Sequence, residues 1–289
     1  MKRTLIFLFF LSVIIYGQEF NYLPHSSNDN IIRHKYYTLS FVSKYRQAEW
    51  VAYKLTKEMA EKAGERSNKF TPDPLLPDET NENSAYKNSG YDKGHLCPAA
   101  DMSWSQEAMD ETFYYSNISP QQPGFNRNIW KKLEEYVRTW AKEDSIIYVV
   151  TGGVLTDNLE TIGAKVKIPV PDYFYKVIYH PSTTDPQGIA FIMANKKLDK
   201  PVSYYAVSID SVESLTHIDF FPNLPDKIEN KVEKKINLAK WNLENSGETE
   251  KTTIAKKRCV AITQNGKRCK RTALPGCNYC KQHMESIQK

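Results

Sequence analysis

The chain has 289 residues, of which 25% are charged and 40% hydrophobic, and its formal net charge is +5. These values are typical of a globular protein and exclude a chain that is disordered throughout. Residues 251–289 contain ten Lys or Arg and one acidic residue, a net charge of +9, so affinity for polyanions is predicted at the C-terminal end.

The N-terminus has the pattern of an export signal. Lys2 and Arg3 precede an apolar run from Leu5 to Ile15, and Gly17 is a small residue at which cleavage is expected. The run is shorter than the roughly 20 residues that a membrane-spanning helix needs. We therefore predict a signal peptide over residues 1–17 and a secreted or periplasmic protein without stable membrane insertion.

The apolar pattern predicts the next elements in order. Residues 36–41 and 47–55 have the aromatic and β-branched content of strands, and the polar, proline-containing stretch 67–90 is predicted to be a loop. A helix is expected over residues 106–115. A second helix, beginning near Asn126 or Asn128, is predicted from apolar residues at helical spacing, namely Ile129, Leu133, Tyr136, Val137 and Trp140.

Further strands are predicted at residues 145–151, 166–178, 188–193 and 202–209. Because strands and helices do not alternate regularly, the predicted fold class is α+β. The polar stretch 242–257 lacks apolar periodicity and is predicted to be a linker. It separates a main domain over residues 18–241 from a small module over residues 258–289. The sequence does not indicate an oligomeric state.

His95 closes the tetrad Asp92-Lys93-Gly94-His95, which follows the predicted loop. The ordinary pKa of histidine, near 6.5, allows the neutral ring to act as a base at ordinary pH. A single histidine is more often structural, and five others occur in the chain. The residues that follow His95 favour a catalytic role.

Asn126 stands at the predicted start of the second helix, where an asparagine commonly caps the free N–H groups. Asn128 competes for that position, which would leave the amide oxygen of Asn126 available to a hard metal ion. Glu134 and Arg138 are four residues apart and share a helical face. They form either an ordinary surface pair or, with Asn126, one site for a metal ion and a phosphate group.

The chain resembles the DNA/RNA non-specific endonucleases, the ββα-metal or His-Me finger group that includes the endonuclease G type. The resemblance covers roughly residues 34–225. It rests on Asp92-Lys93-Gly94-His95, Asn117-Ile118-Ser119-Pro120-Gln121, the Asn126, Trp130, Leu133 and Glu134 pattern, Arg66, Val150-Thr151-Gly152, residues 171–176 and residues 215–221.

The resemblance implies a ββα-metal core with a mainly antiparallel central sheet flanked by helices. It further implies a metal-dependent endonuclease that cuts DNA and RNA without strong sequence preference. His95 would be the general base, and Asn126 would hold Mg²⁺ or Mn²⁺. The remaining implied site residues are Glu134, which orients water, Arg66 and Arg138, which bind phosphate, and Asn117, which supports the site.

Two positions depart from the family pattern. Lys93, which we also count among the predicted catalytic-site residues, replaces the usual arginine, which keeps the charge and loses the bidentate fork. Cys97 stands where alanine is common, and it is predicted to be a small buried residue. The first departure leaves an alternative open, in which the protein is a catalytically weak nucleic-acid-binding or envelope-associated interaction protein.

The C-terminal module contains four candidate ligands for a structural zinc ion, Cys259, Cys269, Cys280 and His283. Cys277 could replace Cys280. Disulfide bonds are the alternative, because the four cysteines of this module could pair evenly in an exported protein. The basic charge of the module suggests a tether for nucleic acid, and an unspecific basic tail or an envelope-attachment module is an equal alternative.

Overall fold

The computed structural model describes residues 20–80, 83–243, 258–263, 267–273, 279–280 and 282–283. The predicted signal peptide, most of the predicted linker and Cys277 lie outside these residues. Within them, none of the helices combines the length and the apolar character needed to cross a bilayer.

A seven-stranded sheet forms the centre of the main domain. All of its neighbouring strands are antiparallel, and their order across the sheet is β1-β2-β3-β6-β9-β10-β11. The strands are β1 (Ile31–Arg33), β2 (Thr38–Val42), β3 (Gln47–Thr56), β6 (Ile146–Gly153), β9 (Tyr173–His180), β10 (Gln187–Ala194) and β11 (Ala206–Val207).

Both faces of this sheet are covered by apolar cores. Along β3, Val51 and Tyr53 point into one core, whereas Trp50 and Ala52 point into the other, as the two-residue period of a strand requires. The first core is covered by α4 and the second by α5 and α6. These helices span α4 (Lys131–Asp144), α5 (Ile209–Thr216) and α6 (Asp226–Lys234).

A two-stranded hairpin and the helix that follows it lie against the first core. The hairpin pairs β4 (Asp92–His95) with β5 (Ile118–Gln121), and a π-helical turn (Phe125–Trp130) leads from it into α4. This is a ββα unit, and the predicted α+β class with a mainly antiparallel central sheet is confirmed. The other helices and strands are α1 (Lys57–Glu61), α2 (Asn83–Tyr86), α3 (Gln106–Glu111), β7 (Thr161–Ile162) and β8 (Ile168–Pro169).

Four predicted elements differ from the structure. The stretch 67–90, predicted to be a loop, contains α2 (Asn83–Tyr86). Residues 202–209, predicted as a strand, form a 3₁₀ helix (Val202–Tyr205) and only two residues of strand, because Tyr204 N–H bonds back to the Pro201 carbonyl. The predicted strand 166–178 is divided into β8 and β9, because Pro169 at the end of β8 and Pro171 between the two strands cannot donate ladder hydrogen bonds. The predicted helix 106–115 ends at Glu111.

The main domain continues past residue 241. The indole N–H of Trp140 donates to the carbonyl of Trp241 at 2.8 Å, and Leu243 is buried in the same core. The chain around Trp241 is therefore fixed against α4.

Candidate active site

The β4–β5 hairpin determines where His95 lies. Gly94 is required here, because a Cβ at this position would lie 2.2 Å from the side chain of Gln121. His95 pairs with Ile118, and the backbone that follows is held by Asn117. The side chain of Asn117 accepts from Cys97 N–H at 2.8 Å and donates to the carbonyls of Cys97 and Thr112 at 2.9 and 2.8 Å.

Asn117 is fully buried and does not line the pocket that contains His95. Its amide group bonds only to backbone atoms, so it positions the chain beyond His95 and contacts no reacting group. The predicted supporting role therefore consists of holding the backbone of this segment. Cys97 is buried, as predicted.

The imidazole of His95 is almost completely enclosed, with 9% of the residue exposed. It lies against two aromatic rings, with its centroid 5.6 Å from that of Phe70 and 4.8 Å from that of Phe113. Burial, together with the positive charge of Arg66, lowers the pKa of His95 to about 3. Its Nε2 is buried and has no hydrogen-bond partner among the described residues. The ring is therefore a neutral base with a nitrogen available for a proton.

Asn126 lies in the π-helical turn and not at a helix cap. Its Nδ2 donates to Asp92 at 3.0 Å, while the side chain of Asn128 donates to the Gly124 carbonyl at 3.1 Å. Gly124 is the N-cap residue, so neither asparagine caps the helix. Turns of this kind occur frequently at functional sites.

Asp92 fixes the amide of Asn126 and also binds Arg127, whose Nε and Nη2 atoms donate to it at 2.8 and 2.5 Å. Because Asp92 takes the Nδ2 end of the amide, the Oδ1 end of Asn126 is the one left without a partner in the described part of the chain. An oriented amide oxygen of this kind is a suitable ligand for a hard cation.

Glu134 lies one α4 turn before Arg138, as predicted, but Arg138 bonds elsewhere. Its guanidinium donates to the fully buried Asp101 at 2.8 Å, and the hydroxyl of Tyr53 donates to the same carboxylate at 2.7 Å. The group is thereby held rigidly while it still lines the pocket. Desolvation raises the pKa of Glu134 to about 7, against the lowering effect of the Lys176 charge.

Asp101 and Lys176 are two charged residues near this pocket that were not predicted from the sequence. Lys176 is fully buried, its Nζ donates to Thr151 at 2.6 Å, and it lies 4.9 Å from the centre of the Trp130 ring. Burial lowers its pKa, and the carboxylates of Glu134 and Asp101 act in the opposite direction. Lys176 could have been predicted as a special residue, because a lysine in the middle of an apolar strand is unusual. Nothing in the sequence around Asp101 indicates its role.

The two remaining predicted cations border the pocket. Lys93 donates to Asn83 at 2.7 Å and lies 4.5 Å from the centre of the Phe70 ring. The guanidinium of Arg66 lies 5.7 Å from the Phe113 ring. One cavity of about 350 Å³ thus brings together six of the predicted residues, Arg66, Lys93, His95, Asn126, Glu134 and Arg138.

A ββα unit whose pocket combines a neutral imidazole, an amide oxygen, a carboxylate and several cations defines a class, the nucleases that hydrolyse phosphodiester bonds. The family model for DNA/RNA non-specific endonucleases matches residues 20–227. This chain belongs to the DNA/RNA non-specific endonuclease family.

Known relatives agree with this assignment. The chain is 33% identical to mitochondrial endonuclease G of Bos taurus, over 65% of this chain and 68% of that protein. It is 35% identical to nuclease C1 of Cunninghamella echinulata var. echinulata, over 70% of this chain and 86% of that protein. A chain in the crystal structure of the EndoG/EndoGI complex is 35% identical, with a TM-score of 0.64, and the match covers 69% of this chain and 88% of that one.

The described part of the C-terminal module brings its four predicted ligands together. Cys259, Cys269, Cys280 and His283 lie with their ligand atoms within 4.8 Å of one another, and the three cysteines are buried and not disulfide-bonded. Backbone pairing of Arg258 with Thr272 and of Ile262 with Arg268 holds the module around them.

Proposed function

We propose that this protein is a secreted, metal-dependent endonuclease that cuts DNA and RNA without strong sequence preference. The observation that carries the proposal is the shared pocket, in which the unpartnered Nε2 of His95 and the oriented amide of Asn126 border the same space. His95 is the general base and takes the proton of the attacking water. Export rests on the signal pattern of residues 1–17.

A divalent cation fits the residues of this pocket. The Oδ1 of Asn126 is an oxygen ligand of the kind that Mg²⁺ and Mn²⁺ prefer, and Mg²⁺ commonly keeps most of its waters, so a single protein ligand is sufficient. Glu134 lines the same pocket as Asn126 and would orient those waters. When bound, the ion supplies positive charge for the scissile phosphate and for the departing 3′ oxygen.

The cationic side chains hold the phosphate group. Arg138, fixed by Asp101, presents a rigid guanidinium, and Arg66 and Lys93 also line the pocket. A shallow groove shares Lys93 and Arg127 with the pocket and continues past two exposed lysines, Lys87 and Lys165. Such side chains would contact the sugar-phosphate backbone and would not distinguish one base from another. DNA and RNA are therefore both expected substrates.

Digestion of supercoiled plasmid and of total RNA tests this function. We expect both to be cut with Mg²⁺ or Mn²⁺, at rates within about tenfold of each other. Chelation should stop cleavage, and Mg²⁺ alone should restore it, which separates the catalytic ion from any zinc in the C-terminal module. Binding of nucleic acid without cleavage in either metal would instead support the alternative, a catalytically weak nucleic-acid-binding or envelope-associated protein.

We also propose that the four-residue cluster of the C-terminal module binds zinc. With Zn–S near 2.3 Å and Zn–N near 2.0–2.1 Å, a tetrahedral ion separates two sulfurs by about 3.8 Å and a sulfur from a nitrogen by about 3.6 Å. The distance between the Cys269 and Cys280 sulfurs is 3.9 Å. His283 Nδ1 lies 3.5 and 3.3 Å from the sulfurs of Cys259 and Cys280.

Metal analysis of the purified full chain tests the zinc proposal. We expect about one zinc ion per chain, bound by four ligands, and its loss in Cys269→Ala. Cys97→Ala is the matched control, because Cys97 is also buried but lies in the main domain. A zinc-free protein in which mass spectrometry maps disulfides among the module's cysteines would contradict the proposal.

A further inference from the structure

Five carboxylates gather where α5 and α6 meet, on the opposite face of the sheet from α4. We call Asp210, Glu213, Asp219, Glu229 and Glu233 the acidic cluster. Two sets of three have their oxygens within 4.8 Å of one another, and both sets contain Glu233.

Glu233 is the central member of the acidic cluster. It is 8% exposed, and its Oε1 is buried without a hydrogen-bond partner. Burial, together with repulsion from Glu213 and Glu229, raises its pKa to about 8. Burying a carboxylate without a partner is costly, so this group requires a proton or a cation beside it.

No protein cation supplies that charge in the described part of the chain. None of the five carboxylates forms an ion pair there, and the Lys231 ammonium pairs with Asp185 instead. Glu229 and Glu233 are four residues apart on α6, a spacing at which like charges repel. Of the five, only Glu213 has a described side-chain hydrogen bond, which its Oε1 accepts from Phe220 N–H at 3.0 Å.

We infer that the acidic cluster is a binding site for a divalent cation of the calcium type, separate from the catalytic pocket. Ca²⁺ accepts six to eight oxygens at 2.3–2.6 Å in flexible geometry, so two of its ligands lie up to about 5.2 Å apart. Mg²⁺ is commonly held by one or two carboxylates and keeps its waters. Carboxylates from two helices and a loop therefore favour the larger ion.

The ion would join three segments that cover the second core. Asp210 and Glu213 lie on α5, Glu229 and Glu233 on α6, and Asp219 on the loop whose backbone pairs with His25. The bound ion would therefore stabilise the fold and take no part in phosphodiester cleavage. Its binding can be tested without measuring nuclease activity.

Calcium binding is measured best in the Asn126→Ala background, which weakens the catalytic ion site. Titration calorimetry with CaCl₂ on the metal-depleted full chain should detect one bound Ca²⁺ per chain, and saturating Ca²⁺ should raise Tm by about 5 °C. Adding Glu233→Gln should abolish both effects. Without Ca²⁺, this variant should melt at or above the temperature of its parent, because it removes a repelled charge.

Glu229→Gln, at a partly exposed position, provides a second measurement if Glu233→Gln does not fold. It should weaken Ca²⁺ binding about tenfold, since it removes one of the few charged ligands. The inference is overturned if the Asn126→Ala chain binds no Ca²⁺, or if both cluster variants bind it as their parent does.

Discussion

The His95→Ala variant is expected to lose at least about 10³-fold of the wild-type kcat/KM for plasmid cleavage, near the upper part of the range for general-base catalysis. The loss is expected to be large because, among the described residues that line the pocket, His95 carries the neutral nitrogen proposed to accept a proton from water. Initial rates on supercoiled plasmid at saturating Mg²⁺ measure it.

His25→Ala is the matched control for this variant. His25 is exposed, and its described hydrogen bonds to Asp219 are made by the backbone, so its cleavage rate should stay within about twofold of wild type. Circular dichroism should show that both variants are folded. Cleavage by His95→Ala at the rate of the control would remove the imidazole from the mechanism.

The Asn126→Ala variant is expected to lose about 100-fold in cleavage rate at limiting Mg²⁺, with part of the loss recovered at high Mg²⁺. The reason is that the amide oxygen, oriented by Asp92, is the single side-chain ligand proposed for the ion. Rates measured across a Mg²⁺ titration separate weaker ion binding from a slower chemical step.

Asn128→Ala is the matched control, because it removes the same type of side chain two residues after Asn126. Asn128 is exposed and bonds only to the Gly124 carbonyl within the same turn. Its Mg²⁺ dependence should match wild type within about twofold. Equal Mg²⁺ requirements in the two alanine variants would show that the ion is held elsewhere.

The sequence predicted the buried strands well because their apolar content is unambiguous. The strands at residues 47–55, 145–151 and 188–193 correspond to β3, β6 and β10. It failed where prolines interrupt an apolar stretch. Residues 166–178 and 202–209 have strand composition, but Pro169, Pro171 and Pro201 stop or redirect the backbone hydrogen bonds that a strand needs.

The sequence predicted which residues line the active-site pocket but not which partners their side chains bond to. Spacing placed Asn126, Glu134 and Arg138 on one helix, and the structure brings them into one pocket with His95. The partner of Arg138 could not be predicted, because Asp101 comes from a distant segment and is placed by tertiary packing. The π-helical turn (Phe125–Trp130) could not be predicted either, because apolar residues at helical spacing predict a regular α-helix.

The burial of His95 against two phenylalanines affects how strongly its imidazole can accept a proton. With a pKa near 3, the ring is a feeble proton acceptor as long as no anion lies beside it. A phosphodiester carries negative charge, and negative charge next to an imidazole increases its proton affinity. If His95 is the general base that we propose, a bound phosphodiester would therefore raise the pKa of its imidazole above the value in the empty pocket.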